Sequence, residues 1–294
     1  MSANHSPRLL IIDGHAYAYR AFHAIRQLSS PTGEPTNAIY GFIKTLGKMR
    51  AQLAPTHVAV VWDAGLAVER LAELPEYKSQ RPPMPASLEA QIEGIQGYLP
   101  AAGLVSLCQP GVEADDWIAA LARQAQGVGM DVVIASSDKD FMQLVSPGIG
   151  MLNPNDKSEK VWTAEDVRAR TGVTPEQVVD WLSLIGDSVD NIPGVPGVGT
   201  KTAAGLLNQF GSVDGLYSRL HEVKPERLQA ALASSAATVR RNQRLIRLKE
   251  EAPCSTVLDD LAPRPADGQR LKPLYTQWGF KTLLSQLNET PSWF

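Results

Sequence analysis

Leu9-Leu10-Ile11-Ile12-Asp13-Gly14 is a short apolar run closed by an acid and a glycine. Its length and side-chain type are those of a strand buried on both faces, and the Asp-Gly pair ends it. Asp13 is therefore expected at a strand's carboxyl end. The pattern returns twice. His57-Val58-Ala59-Val60-Val61-Trp62 runs into Asp63-Ala64-Gly65, and Asp131-Val132-Val133-Ile134-Ala135 runs into Ser136-Ser137-Asp138-Lys139-Asp140, followed by a helical Phe141 to Val145. Helical stretches separate these strands. The alternation predicts an α/β fold with a central, mostly parallel sheet covered by helices on both faces. Such sheets carry their sites outside the carboxyl ends of the strands, where Asp13, Asp63, Asp138 and Asp140 would meet. One Asp after a strand is ordinarily a turn residue; three strands ending this way form a constellation.

Two further acidic sets extend it. Glu113-Ala114-Asp115-Asp116 opens a helix that runs on from Trp117. The helix dipole favours an acid in the first turn by about 0.3 to 1 kcal/mol, which accounts for any one of the three. Three acids in four residues exceed what capping needs, and Glu113 and Asp116, three apart, can reach one point. The second set is Asp187 and Asp190, also three apart, which on a helical turn would face the same side. Directly after them stand Pro193, Gly194, Pro196, Gly197 and Gly199, then Lys201 and Thr202 at the start of a helix expected over 202–210. Glycines of this kind permit a tight turn whose amides approach a phosphate without Cβ interference, and Lys201 adds a point charge. The stretch 192–202 reads as the hairpin of a helix-hairpin-helix, which holds nucleic-acid backbone without reading bases. A capped helix followed by a Pro/Gly loop would account for the Asp pair alone. The doubled glycine phrase followed by Thr-Lys-Thr favours phosphate binding.

From Leu66 to Leu99 the composition changes to a long polar insertion with Arg70, Tyr77, Lys78 and Arg81, then Pro82-Pro83-Met84-Pro85 and a helical Ala86 to Leu99. It has the character of a mobile lid or arch. Tyr77, Lys78 and Arg81 combine an aromatic face with cations, as a grip on a single strand would, while a solvated loop with incidental charges explains them equally well. Beyond Asn153 the chain reads as all-helical: 163–185 with a start at Thr174-Pro175-Glu176, then 202–208, 213–220, 225–251 and 267–287. Arg240, Arg244 and Arg247 share a helical face of the solvated kind. These shifts suggest an α/β part, 1–172, and a helical part, 173–294. Pro-rich 262–267 is the nearest thing to a linker.

The 294 residues suffice for one large domain or two smaller ones, and 44% apolar with 20% charged residues is ordinary for a globular protein. Cys108 and Cys254 lie far apart without His or Cys at ligand spacing, which argues against structural zinc and a disulfide framework and for a reducing compartment. The first residues lack a signal-peptide pattern and no apolar stretch reaches membrane-spanning length, so a cytoplasmic protein is expected, with no membrane partner. A net charge of −3 argues against nucleic acid only if the acids are spread evenly. With the nine carboxylates set aside, 28 basic residues face 22 acidic ones.

Asp13, Asp63, Glu113, Asp115, Asp116, Asp138, Asp140, Asp187 and Asp190 cannot all be ionised at close quarters unaided. Two unit charges ~4 Å apart repel by roughly 4 kcal/mol at an effective dielectric of ~20. Divalent cations or raised pKa values must offset this, and all-oxygen ligation selects Mg²⁺ or Mn²⁺. Two such ions ~3.5 to 4 Å apart suit phosphodiester hydrolysis, with Arg20 and Lys78 as available cations for the developing charge. A phosphatase with an Asp nucleophile is disfavoured, because Gly14-His15 follows Asp13 with no second Asp two residues on.

The phrases Ile12-Asp13-Gly14-His15 with Tyr19-Arg20, Pro31-Thr32-Gly33 with Pro35-Thr36-Asn37-Ala38, Val61-Trp62-Asp63, Tyr77-Lys78 with Arg81-Pro82-Pro83, Glu113 to Asp116, Ser137 to Asp140, and Gly186 to Thr202 together resemble the 5′ nucleases of the flap endonuclease family, almost end to end. Within it, the likeness is to the N-terminal 5′-3′ exonuclease domain of bacterial DNA polymerase I and its stand-alone bacterial relatives. The resemblance implies a PIN-like nuclease fold with a helical arch at about 66–99 and a helix-two-turn-helix around a backbone-bound potassium ion. It implies cleavage of 5′ flaps and of nicked, gapped or blunt duplex DNA in replication and repair, by a monomer working beside a DNA polymerase or ligase. By position, all nine acids would hold metal directly or through water or stand beside it, Lys78 and Arg20 would steer the scissile phosphate, and Tyr77 would stack on a base. Arg81 and the hairpin residues Gly194, Gly197, Gly199, Lys201 and Thr202 would hold DNA. Glu69 departs from the family, whose members tend to carry an aromatic residue there. A DNA-binding scaffold without activity and a PIN-type ribonuclease are the alternatives; the ribonuclease would have no need of the hairpin.

Overall fold

The computed structural model describes residues 6–65, 68–251 and 256–289, so Leu66 at the start of the expected arch and Cys254 lie outside the described residues. In chain order the first part comprises β1 (Arg8–Asp13), α1 (Gly14–Ala24), α2 (Asn37–Leu53), β2 (His57–Trp62), α3 (Val68–Glu73), α4 (Ala86–Ala101), β3 (Val105–Cys108), α5 (Ala114–Gly127), β4 (Asp131–Ala135) and β5 (Ile149–Leu152). The five strands form one sheet, all parallel, in the order β3-β2-β1-β4-β5. The three apolar runs occupy its centre. The sequence reading did not foresee β3 and β5, four-residue strands at the two edges.

The central strands are apolar at every position because both faces are covered. Leu9, Ile11, Ala59, Val61, Val132 and Ile134 point to a core shared with α5. Leu10, Ile12, Val58, Val60, Val133 and Ala135 point to the other, under α1, α2 and α4. All three central strands run the same way, so Asp13, Asp63 and the segment after Ala135 emerge along one edge.

The second part comprises α6 (Ala164–Thr171), α7 (Val178–Ile185), the two-residue strands β6 (Gly186–Asp187) and β7 (Ile192–Pro193), α8 (Thr200–Phe210), α9 (Val213–Ser218), α10 (Glu226–Ser234), α11 (Ala236–Ile246), α12 (Gly268–Trp278) and α13 (Lys281–Glu289). Several long helices of the sequence reading are broken. Gly172 with φ 81° ends α6, Ser235 separates α10 from α11, which stops at Ile246, and Gly279 with φ 73° divides α12 from α13. Helices α7, α8 and α11 continue the first core. Asn242, fully buried, donates to the carbonyls of Ser183 and Pro193 and so fastens α11 to α7 and to the β6-β7 hairpin. Helix α12 returns to the opposite face, where Tyr275, Trp278 and Phe280 form an aromatic group against Tyr98 of α4.

The polar insertion is shorter over the site than its composition suggests. Leu88, Ile95 and Leu99 of α4 are fully buried in the second core, so α4 belongs to the body of the molecule. Only 68–85 spans the carboxyl edge, as α3 and a series of turns.

Candidate active site

The carboxyl edge of the sheet opens into a basin of about 430 Å³ whose lining includes Asp13, Asp63, Asp115, Asp138, Asp187 and Asp190. Six acids from five separate chain segments therefore meet. A backbone amide fixes most of them. Asp13 caps α1, accepting from Ala16 N-H at 3.0 Å, and its other oxygen accepts from the Ser136 hydroxyl at 2.7 Å. Asp63 accepts from Ala114 N-H at 2.8 Å, Asp138 from Asp140 N-H at 2.9 Å and Asp187 from Val189 N-H at 3.0 Å. These are the capping and turn bonds that Asp makes at element ends. Here they also hold one oxygen of each acid and so set the direction of the other.

Asp187 and Asp190 reach the basin by a route other than a helical turn. Gly186–Asp187 pairs antiparallel with Ile192–Pro193, and the two acids sit on that hairpin. The hairpin depends on close backbone approach: a Cβ on Gly194 would lie 2.2 Å from the Ile185 carbonyl oxygen, and one on Gly186 would lie 2.4 Å from Gly194 N. The glycine signal at 194 is thus structural. Gly197, with φ 80°, and Gly199 have open space where a Cβ would stand, and Gly199, Thr200 and Lys201 are exposed at the start of α8, with Thr202 half-buried. Helix starts present unpaired amides, and this one is open to a phosphate. None of these four lines the basin, so the start of α8 and the acids are separate surfaces.

Cations of the chain partner the acids. Lys78 Nζ lies 3.1 Å from Glu113 Oε1 and 3.9 Å from Asp115 Oδ2, and Arg81 lies 2.5 Å from Asp190 Oδ1. Lys139 Nζ lies 3.0 Å from Asp187 Oδ1. The turn that carries Lys78 is clipped to the hairpin: Lys78 N-H donates to the Asp190 carbonyl at 3.0 Å, and the Asn191 amide donates to the Glu76 carbonyl at 3.0 Å. Lys78 itself has φ 57°, uncommon for a side chain of this size.

Several expected site residues lie elsewhere. Glu113 and Asp116 do converge on one point, but that point is the Arg70 guanidinium. Arg70 bonds Asp116 through both terminal nitrogens at 3.1 and 2.8 Å, contacts Glu113, and donates to the Leu245 carbonyl at 2.9 Å. Asp116 also accepts from Lys249 N-H at 3.0 Å. Successive residues of a helix point about a quarter-turn apart, so Asp115 turns to the basin while Asp116 turns to the chain after α11. Asp140 stands behind the basin wall with its buried Oδ1 lacking a hydrogen-bond partner. Tyr77, expected to stack on a base, is 7% exposed and belongs to the first core, with Lys78 Nζ 4.9 Å from its ring centre. Arg20 does not face the acids. Ala16 and Tyr19 share the face of α1 that lines the basin, whereas Tyr17 and Arg20 line a small separate cavity of about 50 Å³ with Lys48 and Asp156. Glu69, at the position that departs from the family, pairs with Lys249 on the surface.

Burial and mutual repulsion disturb the acids' titration. Asp13 is pushed up to about 6, chiefly by burial and in smaller part by Asp138 and Asp63. Asp115, Asp138 and Asp140 are raised as well, by burial first and then by neighbouring carboxylates. His15, beside Asp13, is lowered by burial; its Nδ1 accepts from Asp63 N-H at 3.4 Å, which leaves the proton on Nε2. Among the described residues no three His, Cys, Asp or Glu side chains are already drawn together as a finished metal site. The donor set still fits hard divalent ions: its acids supply oxygen only, Asp13, Asp115 and Asp138 among them are held toward the protonated form, and Asp140 behind them keeps a buried oxygen without a partner among the described residues.

Comparison with known proteins agrees with this geometry. The family model described as the 5′-3′ exonuclease N-terminal resolvase-like domain matches residues 8–172, and that of the 5′-3′ exonuclease C-terminal SAM fold matches 173–269. The chain belongs to the 5′-3′ exonuclease family. It is 36% identical to a 5′-3′ exonuclease of Aquifex aeolicus, over 96% of this chain and 95% of that one. It is 37% identical to DNA polymerase I of Bacillus caldotenax over 97% of its own length. The match spans 33% of that polymerase, about a third. In fold it is similar to the flap endonuclease of bacteriophage T5, solved as a pseudo-enzyme-product complex with DNA and metal ions: TM-score 0.69, 20% identity, 96% of this chain and 100% of the other. No helix among the described residues is long and apolar enough to cross a membrane.

The sequence reading of this exonuclease-family site passed over Arg70, Lys139 and Ser136. Lys139 stands inside the acidic phrase 138–140, but its partner is Asp187, 48 residues on, which neighbouring spacing does not reveal. Nor does it reveal Arg70, whose partners Glu113, Asp116 and Leu245 lie far along the chain, Asp116 46 residues away.

Proposed function

We propose that the chain is a structure-specific 5′ nuclease that hydrolyses DNA phosphodiesters at 5′ flaps and at nicked, gapped or blunt duplex ends. The observation that carries this is the meeting of Asp13, Asp63, Asp115, Asp138, Asp187 and Asp190 in one basin, roofed by the cationic turn 77–81 and adjoining the 192–202 hairpin. These six acids would hold two Mg²⁺ or Mn²⁺ ions, which supply an ionised water and charge neutralisation at the leaving oxygen when bound. Glu113, Asp116 and Asp140 form the layer behind and set the field and direction of the six.

The remaining work falls to the chain's own groups. Lys78 and Arg81, on the turn over the basin, stand where a phosphodiester would enter, and offer positive charge to its non-bridging oxygens. Ser136 holds Asp13 in one orientation through its hydroxyl. The neutral His15 presents Nε2-H toward the same space. On the second surface, the amides at 197–202 and Lys201 grip duplex backbone without reading sequence, with a potassium ion at the two-turn hairpin. We assign the nuclease part to 1–172 and the gripping part to 173 onward, with Asp187 and Asp190 of the second part completing the basin. On this reading the protein acts as a cytoplasmic monomer in replication and repair, and a polymerase or ligase takes up its nicked product.

The test is denaturing-gel analysis of end-labelled flap, nicked and blunt DNA, with matched RNA flaps, in Mg²⁺ and in chelator. Mg²⁺-dependent release of the 5′ strand near the junction from DNA is expected. Asp138→Asn should abolish it while flap DNA still binds; full activity in that variant, or preference for the RNA flap, would count decisively against the proposal.

A further inference from the structure

Lys139 is the one basin cation that comes from the sheet side and not from the turn above. It follows β4 directly, between Asp138 and Asp140, yet its ammonium lies 3.0 Å from Asp187 Oδ1, across the basin on the β6-β7 hairpin. The same oxygen accepts Val189 N-H. The Asp187 side chain is 8% exposed and that of Lys139 is 36% exposed, so the pair is anchored at a buried acid and open on the side of its cation. Lys139 also lines the basin.

We propose that Lys139 is an internal counter-ion of Asp187 that competes with a divalent ion for that carboxylate and, once displaced, turns to the substrate's phosphate. This rests on the metal-dependent reading given above and adds a role for a residue that holds no metal. A divalent charge brought to Asp187 meets the ammonium a few ångströms away, and repulsion acts whichever carboxylate oxygen the ion takes. Lysine suits a displaced role: a compact charge on a flexible four-carbon stem with solvent on one side moves at little cost, whereas the fork of Arg81 on Asp190 is directional. By reciprocity, whatever the ammonium contributes to holding Asp187 is subtracted from the ion's affinity, and removing the ammonium returns it. The exchange is neutral in its chemistry: no bond is made or broken, and one positive charge passes from a carboxylate to a phosphate as the ion arrives.

The experiment is Mn²⁺ titration of the full chain, followed by the electron paramagnetic resonance signal of the free ion at low ionic strength. Wild type, Lys139→Met, Lys139→Gln and Lys139→Arg are compared, each also in an Asp187→Asn background. Lys139→Met and Lys139→Gln are expected to bind Mn²⁺ about three- to tenfold more tightly at one site, and Lys139→Arg to stay within about twofold of wild type. In the Asp187→Asn background the gain should shrink below about twofold. Unchanged or weaker Mn²⁺ binding in the Met and Gln variants would overturn the proposal, as would an equal gain with and without Asp187. Should wild type bind no Mn²⁺ at all, the metal-dependent reading itself fails, a result distinct from either of these.

Discussion

Replacing Arg70 by methionine should be among the most damaging single changes outside the basin. Arg70 is 8% exposed and stands between two acids at least as deeply buried. The substitution keeps the bulk of the stem and removes a bidentate bond to Asp116, the contact with Glu113 and the bond to the Leu245 carbonyl. Breaking a buried ion pair from one side costs about 3 to 5 kcal/mol, because the orphaned charge remains. Two residual bonds moderate this, Lys78 to Glu113 and Lys249 N-H to Asp116, while the lost partner of Leu245 adds about 1 kcal/mol. A net loss of about 4 kcal/mol follows, or roughly 8 to 16 °C in melting temperature for a chain of this size. Thermal unfolding followed by circular dichroism in chelator at pH 7.5 measures it. Arg70→Lys, which keeps charge but not the planar fork, should fall between. The double variant Arg70→Met/Asp116→Asn should recover more than half of the loss, since a neutral amide needs no counter-charge. A loss under about 1 kcal/mol for Arg70→Met, or no recovery in the double variant, would refute the view of Arg70 as the counter-charge of the acids behind the basin.

Other expectations follow from the same geometry. Burial pushes Asp13 up to about 6 in the folded chain, above the ordinary carboxylate range near 3.8, so the native state binds more protons across that window and stability falls as pH rises through it. Asp13 alone contributes about 3 kcal/mol of this loss, and Asp115, Asp138 and Asp140 act in the same direction. Melting in chelator should therefore be higher at pH 5 than at pH 7, and saturating Mg²⁺ should flatten the slope; a melting temperature that rises with pH in chelator would contradict the burial of these acids. Lys201→Ala should weaken duplex binding about equally for all sequences and reduce the slope of log affinity against log salt by about 1, read by fluorescence anisotropy at several salt concentrations. Gly194→Ala should destabilise the hairpin by about 1 to 3 kcal/mol in urea unfolding, because its methyl meets the Ile185 carbonyl at 2.2 Å. A neutral result there would mean that β6 and β7 are free to separate.

The parts of this molecule that were legible in its sequence are those that depend on local pattern. Unbroken apolar runs marked β1, β2 and β4 because both faces of the sheet are covered, and an acid after each run marked the edge where the site lies. The four-residue edge strands β3 and β5 carry too little pattern to stand out from loop. The helix over 86–99 was legible, but the polar composition of 66–99 concealed that its apolar face is buried in the second core. Helix spacing brought Glu113 and Asp116 together correctly but could not show that Arg70 was waiting there. Spacing misplaced Asp187 and Asp190 on a helix, because the close backbone approach at Gly186 and Gly194 shapes a hairpin instead. The neighbours Lys78 and Arg81 give Tyr77 the look of a base platform, whereas its burial in the first core depends on the fold of the turn.

The most direct test of the whole account is a crystal grown or soaked with Mn²⁺ and measured at an energy where manganese scatters anomalously. Two peaks are expected inside the basin, within ligand distance of oxygens from Asp13, Asp115, Asp138 and Asp187 among others. Peaks confined to the outer surface, or none at a Mn²⁺ concentration that supports cleavage, would contradict it.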